Sequence, residues 1–173
     1  MSIKEANVIL VGMPGAGKST VGVILAKMMS LGFVDTDLLI QTAQNRSLQD
    51  IVDKDGHMAL RRIEEAVILS LDISNHVIAT GGSAVYSHAA MTHLKSGGLS
   101  VFLNVDLPTI ESRVRDIDTR GLARSPGQGL GDLFEERCPL YERYADVTVD
   151  CSGLTQEEVC AAILKKIKVS QLT

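Results

Sequence analysis

The stretch GMPGAGKST, residues 12–20, constrains this chain more than any other. It matches G-x-x-x-x-G-K-[ST] and follows directly on the apolar run NVILV, so a buried strand must turn sharply into a helix here. Glycines let successive backbone N–H groups curl around phosphate oxygens, and the helix N-terminus adds a favourable dipole. The lysine then reaches β- and γ-phosphates, and the hydroxyl beside it ligates Mg²⁺. The groups concerned are Gly12, Gly15, Ala16, Gly17, Lys18, Ser19 and Thr20. ATP with Mg²⁺ is the implied ligand. The plain alternative, a glycine-rich turn with a chance lysine, does not account for the agreement of motif, preceding strand and following helical pattern.

Short runs rich in Val and Ile recur at 7–12, 76–82, 99–105 and 145–150, with a shorter one, GFVDTD, at 32–37. Helical periodicity fills the intervals. In residues 56–71 the apolar AVILSL faces one way, while Arg61, Arg62, Glu64 and Glu65 face the other. The alternation predicts an α/β, three-layer fold: a central five-stranded parallel sheet with helices on both faces. Ligands of such sheets bind beyond the carboxyl ends of the strands. A length of 173 residues suits one domain spanning 1–173. TRGLARSPGQG, residues 119–129, is the one candidate boundary, and the run LGDLFEERCPLYERY after it is too short for a domain of its own. CSGLT leads into a final helix expected to end near Lys168.

A net charge of −4 with scattered cations presents no basic face for nucleic acid. Nothing approaches the ~20 apolar residues of a membrane span. Three cysteines without C-x-x-C spacing fit a reduced, cytoplasmic setting, and the four histidines lack ligand spacing. A small-molecule substrate and a monomeric state are expected.

A phosphate loop alone does not separate a kinase from a hydrolase or a switch protein. FVDTD places Asp35 and Asp37 two apart at a strand's carboxyl end, where one can arrange the metal's water shell and the other orient an attacking hydroxyl. Alternatively, Asp37 N-caps a helix starting at Leu38. Arg61 and Glu64, three apart on a helical pattern, can pair and fix a guanidinium for a planar carboxylate, or form an exposed ion pair of little consequence.

GMPGAGKST, FVDTD, ALRRIEE, ATGGS and RCPLY, in this order and spacing, resemble the shikimate kinase family, small phosphate-loop kinases related to nucleoside monophosphate kinases. The resemblance covers roughly residues 5–165 and implies phosphorylation of the 3-hydroxyl of shikimate, in the chorismate route to aromatic amino acids. It implies that Asp37 contacts the acceptor hydroxyl as candidate base and that Asp35 places Mg²⁺ through water beside Ser19. Arg61 and Arg137 match the arginines that hold the substrate carboxylate, and Glu64 the residue that orients Arg61. Gly81 and Gly82 match backbone contacts to the ring, and Arg113 an arginine over adenine. TRGLARSPGQG, residues 119–129, becomes by this resemblance part of a mobile lid, about residues 115–129, with Arg120 closing onto the transferring phosphate. Lys18, Asp37 and Arg120 are thus the expected catalytic set.

The chain departs from the family at several positions. It has GGS where three glycines are usual, Leu60 where an aromatic is usual, and Arg120-Gly121-Leu122-Ala123 where Arg-Pro-Leu-Leu is typical. Losing the proline predicts a looser lid. For Arg137, flanking Glu135, Glu136, Glu142 and Arg143 leave open a solvated helix face, and Arg124 is expected to be solvated. Two other functions compete: a kinase of another hydroxy acid or cyclitol such as gluconate, and a non-catalytic ATP-binding regulatory module.

Overall fold

A computed structural model describes residues 6–114 and 121–170. Five strands, β1 (Asn7–Val11), β2 (Gly32–Asp35), β3 (His76–Ala79), β4 (Gly98–Asn104) and β5 (Val147–Asp150), form one sheet. Their order is β2-β3-β1-β4-β5, and every pairing is parallel. The strand count and parallel sense agree with the sequence reading. Every residue of central β1 is buried, which is why its run is apolar throughout after Asn7. The edge strand β5 instead alternates, with Val147 and Val149 buried and Thr148 and Asp150 exposed.

Among the described residues, eight helices connect and flank the strands: α1 (Lys18–Met29), α2 (Thr36–Gln44), α3 (Leu48–Asp55), α4 (His57–Leu69), α5 (His88–Ser96), α6 (Leu107–Arg113), α7 (Leu130–Tyr144) and α8 (Gln156–Ser170). A 3₁₀ turn, Ala84–Tyr86, lies between β3 and α5. The chain leaves β1 toward the β2 edge and returns through β3 to cross toward β4 and β5, so the connections diverge around β1. That divergence opens a crevice at the carboxyl end of β1, where the phosphate loop stands.

The main apolar core lies about the sheet. A smaller cluster, Ile40, Ile51, Leu60 and Ala123, joins α2, α3 and α4 to the segment after residue 120. It forms apolar wall beside the crevice.

The face of α4 differs from expectation. Glu64 belongs to the buried stripe, with Leu60 and Ile68, whereas Leu69 is 43% exposed. Leu60, Glu64 and Ile68 are spaced by four and so line up along the helix. A carboxylate 3% exposed in such a stripe calls for a polar partner. Arg137 is likewise 1% exposed, which removes the solvated-face alternative for it.

Candidate active site

The phosphate loop has the backbone its sequence requires. Gly15 and Gly17 adopt φ of 83° and 92°, and a Cβ on Gly15 would stand 2.7 Å from Val114 Cγ2. The Ala16 N–H closes the turn onto the Met13 carbonyl at 3.1 Å. The Lys18 ammonium donates to the carbonyls of Gly12 at 2.7 Å and Met13 at 2.9 Å. Burial pulls its pKa down to about 8, opposed by the nearby Asp37 carboxylate. A polyphosphate in the loop would raise it again by favouring the charged form. Arg113, at the end of α6, donates to the Gly15 carbonyl at 3.2 Å, and with Ser19 and Thr20 it lines the same cleft.

Asp35 and Asp37 do not share an extended segment. The strand ends at Asp35, which is itself the N-cap of α2: its Oδ1 accepts from the N–H groups of Asp37 at 2.9 Å and Leu38 at 3.3 Å. The helix starts at Thr36 rather than Leu38, so the cap is Asp35 and not Asp37. The other oxygen of Asp35 accepts from the Ser19 hydroxyl at 2.6 Å. Hydroxyl and carboxylate form an oxygen pair of the kind Mg²⁺ takes together with water and phosphate. Among the described residues no cluster of three or more His, Cys, Asp or Glu could hold a metal alone. The donor set therefore fits a metal completed by the nucleotide.

Capping by Asp35 leaves Asp37 on the first turn of α2, facing the cleft. Burial raises its pKa; Lys18 opposes the shift and Asp35 adds to it. Across Gly81 from it lies Glu64. A Cβ on Gly81 would overlap Glu64 Oε1 and stand 2.7 Å from Asp37 Oδ1, so only glycine leaves the two carboxylates this close. The Gly81 N–H donates to the Thr36 hydroxyl at 3.0 Å. What Gly81 gives the cleft is therefore the room left by its missing side chain.

The expected Arg61–Glu64 pair does not form. Glu64 Oε2 accepts from the Ser83 hydroxyl, its Oε1 is buried without a partner, and burial lifts its pKa to about 7. Ser83, the departure from three glycines, has taken the carboxylate. Arg61 lies instead on the ring of Tyr86, its Cζ 3.6 Å from the centroid, and its Nη2 donates to the Ala123 carbonyl at 3.1 Å.

Arg137 donates from Nη2 to that same carbonyl at 2.8 Å and from Nε to the Tyr86 hydroxyl at 3.2 Å. Its Nη1 lies close enough to Gly82 that a Cβ there would stand 2.9 Å away. The Gly82 carbonyl accepts from the Tyr141 hydroxyl at 2.6 Å. Arg137 lines the main cleft, of about 390 Å³, whereas Arg61 lines a neighbouring cavity with Tyr86. The Ala123 carbonyl and the Tyr86 side chain, each in contact with both arginines, join them.

Gly121 follows the lid arginine. Its φ is +60°, its N–H donates to Gln49 Oε1 at 2.6 Å, and a Cβ on it would overlap the Leu48–Gln49 backbone. This glycine is tied down on α3, contrary to the expected loosening. Arg124 is held too, donating to the Gln128 carbonyl at 2.5 Å, so it is not simply solvated. Arg120 and the first part of the lid, residues 115–120, lie outside the described residues.

Tyr86 and Tyr141 went unnoticed in the sequence. The available signal was scarcity: the chain has three tyrosines and no tryptophan, and two of the three now sit against Arg137.

The sequence model of the shikimate kinase family matches residues 14–168. A shikimate kinase of Thermodesulfovibrio yellowstonii is 36% identical over 163 residues, covering 92% of this chain and 94% of its own. Among solved structures, the shikimate kinase of Acinetobacter baumannii in complex with shikimate superposes with a TM-score of 0.89 at 30% identity, covering 97% of this chain and 96% of its own. That of Aquifex aeolicus gives 0.81 at 31%, with 96% and 98% covered. With phosphate loop, paired aspartates and two converging arginines on one sheet end, the chain belongs to the shikimate kinase family.

Proposed function

We propose that the chain transfers the γ-phosphoryl group of ATP to the 3-hydroxyl of shikimate, acting as a single cytoplasmic domain and a monomer. Family membership supports the reaction. The observation that carries the acid's recognition is the convergence of Arg61 and Arg137 on one carbonyl oxygen beside Asp37 and the phosphate loop. A carbonyl oxygen accepting from two guanidiniums occupies the place of one carboxylate oxygen. Shikimate entering the cleft takes that place and completes both arginines with a full negative charge.

In the reaction, the acceptor oxygen forms a bond to phosphorus as the β,γ-bridging P–O bond breaks, and ADP leaves. Asp37 holds the acceptor hydroxyl and receives its proton. Its raised pKa suits that role, because a carboxylate poised nearer neutrality takes a proton more readily. The loop N–H groups and Lys18 hold the phosphates, and Ser19 and Asp35 would hold Mg²⁺. Held there, Mg²⁺ would supply positive charge to offset that of the phosphates during transfer. Arg113 flanks the adenine, Gly81 and Gly82 leave room for the ring, and Arg120 closes the lid over the phosphate.

ADP release measured with shikimate and with gluconate tests the reading. Saturable release with shikimate, and a product gaining one phosphate by mass, is the expected outcome. Turnover with gluconate alone would move the activity to another acid, and tight ATP binding without transfer to either would favour a regulatory module.

A further inference from the structure

The 3₁₀ turn after β3 and the Ser83 that precedes it supply two side chains that divide the pair expected on α4. Ser83 takes Glu64, and Tyr86, three residues on, takes Arg61. We propose that Tyr86 is the positioning residue that aims Arg61 and Arg137 at one anion site and thereby sets the preference for a carboxylate-bearing acceptor. The proposal rests on the reading of those two arginines as the carboxylate site.

Tyr86 touches both guanidiniums in different ways. Its ring face lies under Arg61, with Arg137 Cζ 5.3 Å from the same centroid. Its hydroxyl donates to Glu136 Oε1 at 2.5 Å. An ionised carboxylate accepts only, so the phenol proton must point to Glu136, and the lone pairs are left for Arg137 Nε at 3.2 Å. Glu136 is in turn fixed by Gln128 Nε2 at 2.5 Å. The phenol is therefore oriented from outside the site.

Arg61 depends on the ring more than Arg137 does. Among the described residues it forms no ion pair, and its Nε is buried without a hydrogen-bond partner. Two like charges directed at one oxygen repel, and the negative face of an aromatic ring offsets part of that repulsion without competing for their N–H groups. A carboxylate from Glu64 in the same place would neutralise Arg61 and weaken its hold on a substrate anion. Tyr86 positions the guanidinium and leaves its charge available.

The test compares shikimate with its methyl ester, which keeps the ring and hydroxyls and loses the charge. KM for the acid and KM or inhibition constant for the ester are measured at saturating ATP in wild type, Tyr86→Leu, Tyr86→Phe and Arg61→Ala. The leucine variant is expected to lose about tenfold of the acid-over-ester preference, with kcat and ATP KM within about twofold of wild type. The phenylalanine variant, which keeps the ring, is expected to lose about threefold. A wild-type preference in Tyr86→Leu, or in Tyr86→Phe should the leucine variant fail to fold, overturns the proposal, as do equal losses for acid and ester. Arg61→Ala separates the two levels. If it abolishes the preference while the Tyr86 variants do not, Tyr86 alone is wrong; if it leaves the preference intact, the carboxylate site is wrong and the proposal falls with it.

Discussion

Arg61 and Arg137, 76 positions apart in the chain, donate to a single oxygen, the carbonyl of Ala123, at 3.1 and 2.8 Å. Neither forms an ion pair among the described residues; a carbonyl dipole and the Tyr86 ring touch them directly, while the Glu136 carboxylate acts on both from farther away. Such an arrangement leaves both guanidiniums able to take an anion at the point that the Ala123 carbonyl fills. On the proposed reading of these arginines, the acid displaces the Ala123 carbonyl as it binds, which would couple recognition of the acid to movement just after Arg120.

The first prediction follows from that geometry. A hydrogen bond to a charged group contributes about 1.5 to 3 kcal/mol, so Arg61→Ala should raise the KM for shikimate by roughly ten- to a hundredfold. ATP KM should change little. Arg137→Lys, which keeps the charge and loses the planar fork, should do the same while sparing the fold better than alanine at a position only 1% exposed. Steady-state kinetics with each substrate varied in turn decides. An unchanged acid KM in both variants would remove the carboxylate assignment.

Replacing Gly121 by the proline typical of the family should harm this enzyme. Proline holds φ near −65° and has no N–H, whereas Gly121 stands at +60° and donates to Gln49. The backbone at Leu48 and Gln49 also leaves no room for a Cβ. Gly121→Pro is therefore expected to lower kcat/KM for shikimate by about tenfold, as the lid segment loses its seat on α3. Equal or higher kcat/KM in the variant would mean that the productive lid follows the proline path instead.

The strand and helix framework was legible because buried parallel strands and amphipathic helices leave periodic traces, and GMPGAGKST fixes its own backbone. Long-range partners leave no such trace. Glu64 and Arg61 sit three apart and looked paired, yet Ser83 and Tyr86, contributed by a turn some twenty residues away, compete for each of them and win. Asp35 and Asp37 were recognised as a pair, but the division between cap and cleft depends on where β2 ends, a one- or two-residue matter that periodicity does not fix. Gly121 looked like lost stiffness because its meaning lies in the α3 backbone pressed against it.

Asp37→Asn should separate chemistry from binding. The side chain faces the cleft from α2 rather than from the phosphate loop, so ATP KM should stay near wild type while kcat falls by about two to four orders of magnitude, the usual contribution of a proton acceptor. Single-turnover measurement of phosphoryl transfer reads the step directly. Near-normal turnover would exclude Asp37 as the base.

The last prediction concerns pH. Glu64 titrates at about 7 in the folded protein because burial disfavours its charge, with Asp37 adding to the shift, against an ordinary value of 4.5. The folded state therefore binds this proton more tightly than the unfolded state does. Between pH 4.5 and 7, stability from Glu64 falls as pH rises, and the full penalty stands above 7. Lys18 runs the other way at higher pH: its value of about 8 against 10.5 costs stability below 8, and that cost is relieved as pH rises toward 10.5. Urea unfolding of wild type should thus show lower stability at pH 7.5 than at pH 5.5, and Glu64→Gln should flatten the difference. The Ser83 hydroxyl bonds the charged form and holds the Glu64 value down, so Ser83→Ala should move the transition to higher pH. If Glu64→Gln leaves the slope between pH 5.5 and 7.5 as steep as in wild type, the titrating group lies elsewhere.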